Sequence, residues 1–271
     1  SIRALQNAVA AGVQHAYLFT GPERTGRATA ARILAQALNC TAEAAPCGEC
    51  NQCRRIAAGI HSDVHTLTIE AAAPDAAGRK AITVGQIREV EATVTLNPYE
   101  GRTRVVIIDP ADALSDGAQS AFLTTLEEPP PHVVFVLICH NADGVLETIR
   151  SRCSHVEFSL VAAAEIEAAL LQRGTDPEQA RLLTRLAAGR PGWALAAAAD
   201  PAALDHRRKT LEITRSLPSM PFGERAALAD RMSEAFKKER EPTLVTLAEW
   251  RGWWRDVLLA QTGSEDGIAN V

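Results

Sequence analysis

Two glycines in the segment 21–28, Gly21 and Gly26, stand at the spacing of a phosphate-binding loop. A working loop of this kind surrounds phosphates with backbone N–H groups, sets a lysine against the terminal phosphates and offers a hydroxyl to Mg²⁺. Here Arg27 replaces the lysine and Ala28 replaces the hydroxyl residue. The segment therefore predicts a nucleotide-site scaffold that does not hydrolyse ATP with Mg²⁺. The alternative is a plain glycine turn between a strand and a helix.

Four of the six cysteines form a closely spaced cluster: Cys40, Cys47, Cys50 and Cys53. Residues typical of turns lie between and beside them, among them Pro46, Gly48 and Asn51, and fold the thiolates toward one point. Four thiolates complete the tetrahedral shell of a structural Zn²⁺ and leave no open position for catalysis. The cluster predicts a zinc module over residues 40–53. Two disulfides or an iron–sulfur cluster are the alternatives.

Two histidines, His61 and His65, also have the four-residue spacing of a metal-binding pair. We expect surface or capping roles for them, because the thiolates already complete a metal shell. Cys139 and Cys153 lie far from the cluster in the sequence, and we expect both to be buried thiols.

Strand and helix signals alternate through the first 158 residues. The apolar runs 15–20, 104–108 and 132–139 are typical of buried strands, and 64–69 alternates weakly. Helical patterns cover 28–38 and 115–128, and Thr83 with Gln86 predicts a capping box that opens another helix. This alternation favours an α/β fold with a largely parallel sheet covered by helices. The nucleotide-type site is expected at the carboxyl edge of the sheet.

Strand signals end after Phe158, and helical patterns continue to the end of the chain. Helices are predicted over 162–173, from Asp176, and over 193–199. Near the C-terminus, Trp250 and Trp254 share one helical stripe, with Trp253 beside it. At that spacing tryptophans more often belong to a core or a subunit interface than to a base-stacking surface.

Composition and net charge limit the classes of protein to which this chain can belong. With 46% hydrophobic residues the chain can bury a sizeable core, and its longest apolar run is too short to cross a membrane. We expect a soluble, cytoplasmic protein with no membrane partner. The net charge of −5 provides no overall positive field, so DNA contact is expected only through partners.

Three further segments support a resemblance to a known family. They are the strand 105–109 ending in Asp109, the segment 123–130 (LTTLEEPP) and the triplet Ser151-Arg152-Cys153. Together with the loop and the cysteine cluster, in the same order along the chain, they resemble clamp-loader subunits of bacterial DNA polymerase III, above all the delta-prime type. The resemblance covers about residues 16–195. It implies an AAA+ module, a small helical lid domain and an all-α collar.

The resemblance also implies a function in DNA replication. Such a subunit sits in a hetero-oligomeric ring with gamma/tau and delta types, and reaches the sliding clamp and primer-template DNA through the complex. Active members carry a loop lysine and an acidic pair after the third strand. Here Arg27 and Pro110 stand instead, and only Asp109 remains of the acidic pair. The departures indicate the non-hydrolysing member, and Arg152 is implied to be an arginine finger for the ATP of a neighbouring subunit.

The expected domains are 1–160 for the AAA+ α/β domain with the inserted Cys₄ module, 161–205 for the small helical domain, and 206–271 for a partial collar. One alternative is an active gamma/tau-like ATPase in which arginine replaces the loop lysine. Another is a zinc-dependent DNA-binding module, against which the acidic balance counts.

Overall fold

A computed structural model describes residues 5–7, 9, 12–69, 81–238, 240–263 and 268. It divides into two compact units, Ser1–Ser159 and Leu160–Val271. The first unit contains a β-sheet, and the described part of the second is helical.

The first unit is built on five parallel strands. They are β1 (Ala16–Thr20), β2 (Val64–Leu67), β3 (Arg104–Ile108), β4 (Val133–Cys139) and β5 (Ser154–Glu157), side by side in the order β2-β3-β4-β1-β5. Every residue of β3 and β4 is buried, as expected for inner strands whose two faces are both covered.

Within residues 12–69 and 81–159, five α-helices accompany the sheet: α1 (Arg27–Asn39), α2 (Asn51–Ala57), α3 (Val84–Val94), α4 (Asp116–Glu127) and α5 (Glu147–Arg150). The predicted capping box is present, since the Thr83 side chain accepts the Gln86 amide while the Gln86 side chain accepts that of Thr83. Ser115 caps α4 by accepting the amide of Ala118. These caps fix where the helices begin and so position the loops before them.

Two apolar cores lie on opposite faces of the sheet. Successive strand residues point to opposite faces, so Leu18 packs in one core and Phe19 in the other. The first core includes Phe122 and Phe135, whose rings meet edge to face with centroids 5.0 Å apart.

The second unit contains α6 (Ala163–Gln172), α7 (Pro177–Ala187), α8 (Pro191–Ala199), α9 (Pro201–Ser216), α10 (Phe222–Lys238) and α11 (Arg240–Gln261). Helices α6 to α8 share a core that includes Leu170 and Leu183. Further along, Trp250 and Trp254 line an apolar cavity of about 750 Å³ together with residues of α10. Among the described helices none is long and apolar enough to span a membrane.

The predicted fold class is confirmed: a parallel sheet with helices, followed by helical segments. Strand β5 and the helices α2 and α5 were not predicted. Strand β5 carries one buried residue, Val156, so its sequence lacks the apolar run of an inner strand. The prediction also placed Asn51 in a turn, whereas it is the first residue of α2, because the Cys50 side chain caps that helix.

Candidate functional site

The phosphate-type loop connects β1 to α1 at the carboxyl edge of the sheet, as predicted. Gly21 has φ 131°, and a Cβ there would lie 2.0 Å from the carbonyl oxygen of Phe158. Gly26 has φ 95° and forms the N-cap of α1. Both positions therefore require glycine, and the backbone scaffold of the loop is intact.

The Arg27 side chain is buried and bound to a protein acceptor at the same edge of the sheet as the loop. Arg27 is only 6% exposed, and its guanidinium donates to the carbonyl of Cys139 at the end of β4. A lysine in a working loop keeps its charge available for phosphate. Here the cation is already committed to a protein acceptor.

The residue at the position of the metal-binding hydroxyl offers no oxygen, and two threonines lie nearby. Ala28 has no oxygen, and Thr29 is exposed. The buried Thr25 hydroxyl donates to the carbonyl of Pro22 at 2.7 Å.

Acidic side chains surround this edge of the sheet. Asp109 follows β3, and burial raises its pKa above the usual value, against the attraction of Arg27 and His140. His140 Nε2 lies 3.2 Å from a Glu23 carboxylate oxygen, and its Nδ1 lies 3.6 Å from Asp112. The hydrogen bond with Asp112 raises the pKa of His140. The edge thus presents three carboxylates, with His140 next to two of them and Arg27 attracting the third.

The four predicted metal ligands do come together. The sulfur atoms of Cys40, Cys47, Cys50 and Cys53 all lie within 4.8 Å of one another, and all four thiols are free. The Cys40 and Cys50 sulfurs are 3.9 Å apart. A tetrahedral Zn²⁺ with Zn–S bonds of about 2.3 Å needs sulfurs about 3.8 Å apart. The cluster therefore fits a four-thiolate metal site.

Backbone N–H groups surround these sulfurs. The amides of Cys47, Cys50 and Cys53 donate to the sulfur of the preceding cysteine of the cluster at 3.3–3.4 Å. Backbone N–H groups, chiefly those of Thr41 and Cys53, lower the pKa of Cys50 to about 5. Burial raises the pKa of Cys53 to about 12. The N–H donors stabilise the thiolate form of a cysteine, and a bound metal deprotonates those thiols that would otherwise stay protonated.

Polar contacts attach this module to the rest of the unit. Gln36 donates to the carbonyl of Cys53 at 2.8 Å, Gln52 donates to that of Glu100 at 2.8 Å, and Arg102 donates to that of Cys40. Because α1 packs against the sheet, these bonds hold the module near the amino edge of β3. The module is therefore attached at the opposite edge from the phosphate-type loop.

Asp63 is a buried anchor whose role the sequence did not reveal. Its carboxylate accepts the amides of Tyr99, Glu100 and Gly101 at 2.8 Å each, and pairs with Arg104 at 3.0 Å. Burial alone would raise the pKa of Asp63, but these donors hold it at about 2. The carboxylate thus fixes the chain segment that enters β3.

The two histidines differ. His65 is exposed, as expected. His61 is 3% exposed, which corrects the expected surface role, although its Nδ1 accepts the amide of Asp63 in a local turn.

The two cysteines outside the cluster pack in or against the core that contains Phe122. Cys139 is buried and Cys153 is partly buried, and burial raises their pKa values to about 11 and about 12.

Arg152 lies at the amino edge of the sheet, two residues before the first residue of β5. Its Nη2 is 2.7 Å from a Glu127 carboxylate oxygen, and its Nη1 donates to the carbonyl of Thr148 at 2.8 Å. In the sheet register Ser154 faces Tyr17, and Glu157 faces Thr20, where the phosphate-type loop begins. At about 3.3 Å per residue, three residues separate the two edges by about 10 Å. The Arg152 guanidinium is therefore held at the opposite edge of the sheet from the phosphate-type loop of its own subunit.

Comparison with known proteins gives consistent results. A family model described as "DNA polymerase III, delta subunit" matches residues 1–162. Subunit tau of Bacillus subtilis is 38% identical over 60% of this chain and 28% of the relative, and subunit delta' of Pseudomonas aeruginosa is 38% identical over 64% and 52%. Subunit delta' of B. subtilis is 29% identical over 94% and 75%. The chain spans 28% to 44% of the length of three strong curated matches, all tau or gamma subunits.

Solved structures give weaker likenesses. A mutant RuvB of Thermotoga maritima has a TM-score of 0.49 at 16% identity, covering 79% of this chain and 61% of the other. The B. subtilis DNA clamp loader delta protein has a TM-score of 0.45 at 14% identity, covering 98% and 80%.

Proposed function

The chain belongs to the family described as DNA polymerase III, delta subunit, and we propose that it acts as a non-hydrolysing, delta-prime-like subunit of the clamp loader. The resemblance to the clamp-loader family and the α/β fold class with a parallel sheet are both confirmed. In this proposal the chain joins gamma/tau-type and delta-type subunits in a ring of the cytoplasmic replisome. It contributes to loading a sliding clamp on primer-template DNA.

The observation that carries the non-hydrolysing assignment is the buried hydrogen bond of Arg27 to a protein acceptor. Relatives named tau and delta' match equally at 38% identity, so identity does not distinguish the two types of subunit. The non-hydrolysing assignment therefore rests on the residues of the phosphate-type loop. The Arg27 guanidinium donates to the Cys139 carbonyl and attracts the Asp109 carboxylate, and the carboxylates of Glu23 and Asp112 lie beside His140. A triphosphate would meet like charge there, while Arg27 is bound to a protein acceptor and Ala28 offers no hydroxyl to a metal.

The second candidate is an active gamma/tau-like ATPase, in which Arg27 replaces the lysine. Arginine binds phosphate well, often through two hydrogen bonds. For this function Arg27 would have to leave a buried hydrogen bond in order to bind phosphate. That reorientation would leave the Cys139 carbonyl without its donor.

Arg152 carries the contribution in trans. Its location at the amino edge separates it from its own loop, and its side chain is 35% exposed. A guanidinium supplied by a neighbour neutralises charge on the transferring phosphoryl group and contributes roughly 10³–10⁵ in rate. The proposed neighbour is a gamma/tau-type ATPase subunit.

For the cysteine cluster we propose a structural Zn²⁺. Sulfur spacing, free thiols and N–H donors support it. The metal would hold the segment 40–53 against the end of α1, and the four thiolates leave it no position for substrate.

The test is nucleotide binding and turnover by the isolated chain. Calorimetric titration with ATP, with and without Mg²⁺, should show no metal-dependent binding, and a phosphate-release assay should show no turnover above buffer. An Arg27→Lys, Ala28→Thr double variant provides the comparison with a restored loop. Robust Mg²⁺-dependent hydrolysis by the wild-type chain would favour the gamma/tau-like ATPase.

A further inference from the structure

The two ends of the Arg152 guanidinium are occupied by groups of the same subunit. Nη1 binds the carbonyl of Thr148, and Nη2 binds the carboxylate of Glu127 at 2.7 Å. Glu127 is the last residue of α4, and Arg152 comes two residues after the end of α5. The pair therefore joins the ends of two helices at the surface.

The backbone at both partners is well anchored. Leu126, which precedes Glu127, is 2% exposed, and the Glu128 amide donates to the carbonyl of Thr124. Next to Arg152, the Cys153 amide donates to the carbonyl of Arg150. The side chains themselves are 35% exposed for Arg152 and 53% for Glu127. The backbone is thus fixed while the ion pair can open into solvent.

This pair opposes the chemistry proposed for Arg152. An arginine finger acts through its positive charge and its paired donors. A carboxylate at 2.7 Å neutralises that charge and uses one side of the donor fork. A phosphoryl group on a neighbouring subunit and the Glu127 carboxylate would compete for the same guanidinium.

We propose that Glu127 is a positioning residue that holds Arg152 in an inactive, parked position until a neighbouring ATP site displaces the carboxylate. This inference rests on the proposed function, because it assumes that Arg152 is donated in trans. The parked position keeps the finger's charge paired when no neighbour is bound. Since exposed ion pairs are weak, the carboxylate shifts the equilibrium by no more than about fivefold.

The variant that tests the proposal is Glu127→Gln, which keeps the shape of the side chain and removes its charge. Glu128→Gln is the matched control, because Glu128 is the adjacent, exposed glutamate on the same helix end. Each variant is mixed with gamma/tau-type ATPase subunits, clamp and primer-template DNA. The kcat and KM for ATP are then measured, also in an Arg152→Ala background.

We expect Glu127→Gln to raise kcat about two- to fivefold with little change in KM, and Glu128→Gln to match wild type. In the Arg152→Ala background Glu127→Gln should have no effect. An unchanged or lower kcat for Glu127→Gln, or an increase that persists without Arg152, would overturn the proposal.

A second readout uses the isolated chain and does not depend on ATP. Arg152 is labelled with an arginine-specific dicarbonyl reagent and quantified by peptide mass spectrometry. Glu127→Gln should speed labelling of Arg152 and leave that of Arg88, an exposed arginine of α3, unchanged. Equal labelling of Arg152 in both chains would show that Glu127 does not hold it. If labelling speeds up while Arg152→Ala leaves partner turnover intact, Glu127 does hold Arg152 but the arginine-finger function fails, and the parking of a finger is overturned with it.

Discussion

The loops at the two ends of α1 differ in whether their functional side chains are present. At its N-terminus Gly21 and Gly26 keep the backbone of a phosphate-binding loop, while Arg27 and Ala28 replace its working side chains. At its C-terminus the segment 40–53 keeps all four side chains of a metal shell. Backbone shape and side-chain chemistry are therefore separable. In one loop the cation is bound within the protein, and in the other four free thiols lie close enough to hold a metal.

The largest expected effect is at the metal end. Cys53→Ser should abolish zinc binding and lower the melting temperature by roughly 10 °C, because metal-binding free energy is also folding free energy. Zinc content by atomic emission and melting by calorimetry check this. Cys139→Ala, which removes a buried thiol away from the cluster, should keep full zinc content. A Cys53→Ser chain that retains one zinc per molecule would contradict the assigned ligands.

The next effect concerns the anchor near that end. Asp63→Asn leaves Arg104 buried without its charge partner, and should lower the free energy of unfolding by about 3–5 kcal/mol. Urea unfolding measures this. A loss under about 1 kcal/mol would mean that the Arg104 pair does not support the fold.

The same carboxylate sets a pH dependence. Because the native state lowers the pKa of Asp63 from 3.8 to about 2, its contribution is present above pH 4 and is lost as the pH falls toward 2. A difference of this size corresponds to about 2 kcal/mol. Urea unfolding of wild type between pH 5 and pH 2 should show that loss, and Asp63→Asn should lack this part of it.

A smaller effect is expected at the phosphate-type loop. Arg27→Ala should lower the free energy of unfolding by about 1–3 kcal/mol, because the Cys139 carbonyl loses its buried donor. In a working loop the corresponding lysine would be free for phosphate, and its removal would leave stability nearly unchanged. Urea unfolding of Arg27→Ala against Arg32→Ala, an exposed arginine of α1, separates the two cases.

The smallest effect is expected at His140, which interacts with Glu23 and Asp112 at the same edge. His140→Ala should cost less than about 1 kcal/mol, because His140 is 42% exposed and solvent screens the pair. Since the native pKa of His140 is raised above 6.5, the loss should be full below pH 6 and vanish well above the raised pKa. Unfolding at pH 6 and pH 9 measures this. An equal loss at both values would contradict a charge interaction.

The sequence predicted what local patterns encode. The order of strand, glycine loop and helix, the four spaced cysteines, and the Thr83 capping box all lie within short segments. Contacts between distant segments were not readable. Arg27 meets Cys139 across 112 residues, Asp63 meets Arg104 across 41, and Arg152 meets Glu127 across 25. These residues become partners only in the folded protein, because the sheet brings their distant segments together.

The measurement that tests the account most directly is ATP turnover by the reconstituted clamp loader, with the wild-type chain or its Arg152→Ala variant. Single-turnover kinetics with clamp and primer-template DNA resolve the ATP site that faces this subunit. We expect Arg152→Ala to assemble normally and to slow hydrolysis at that site by about 10³-fold or more. Wild-type rates at every site with the Arg152→Ala chain would contradict donation of the arginine in trans.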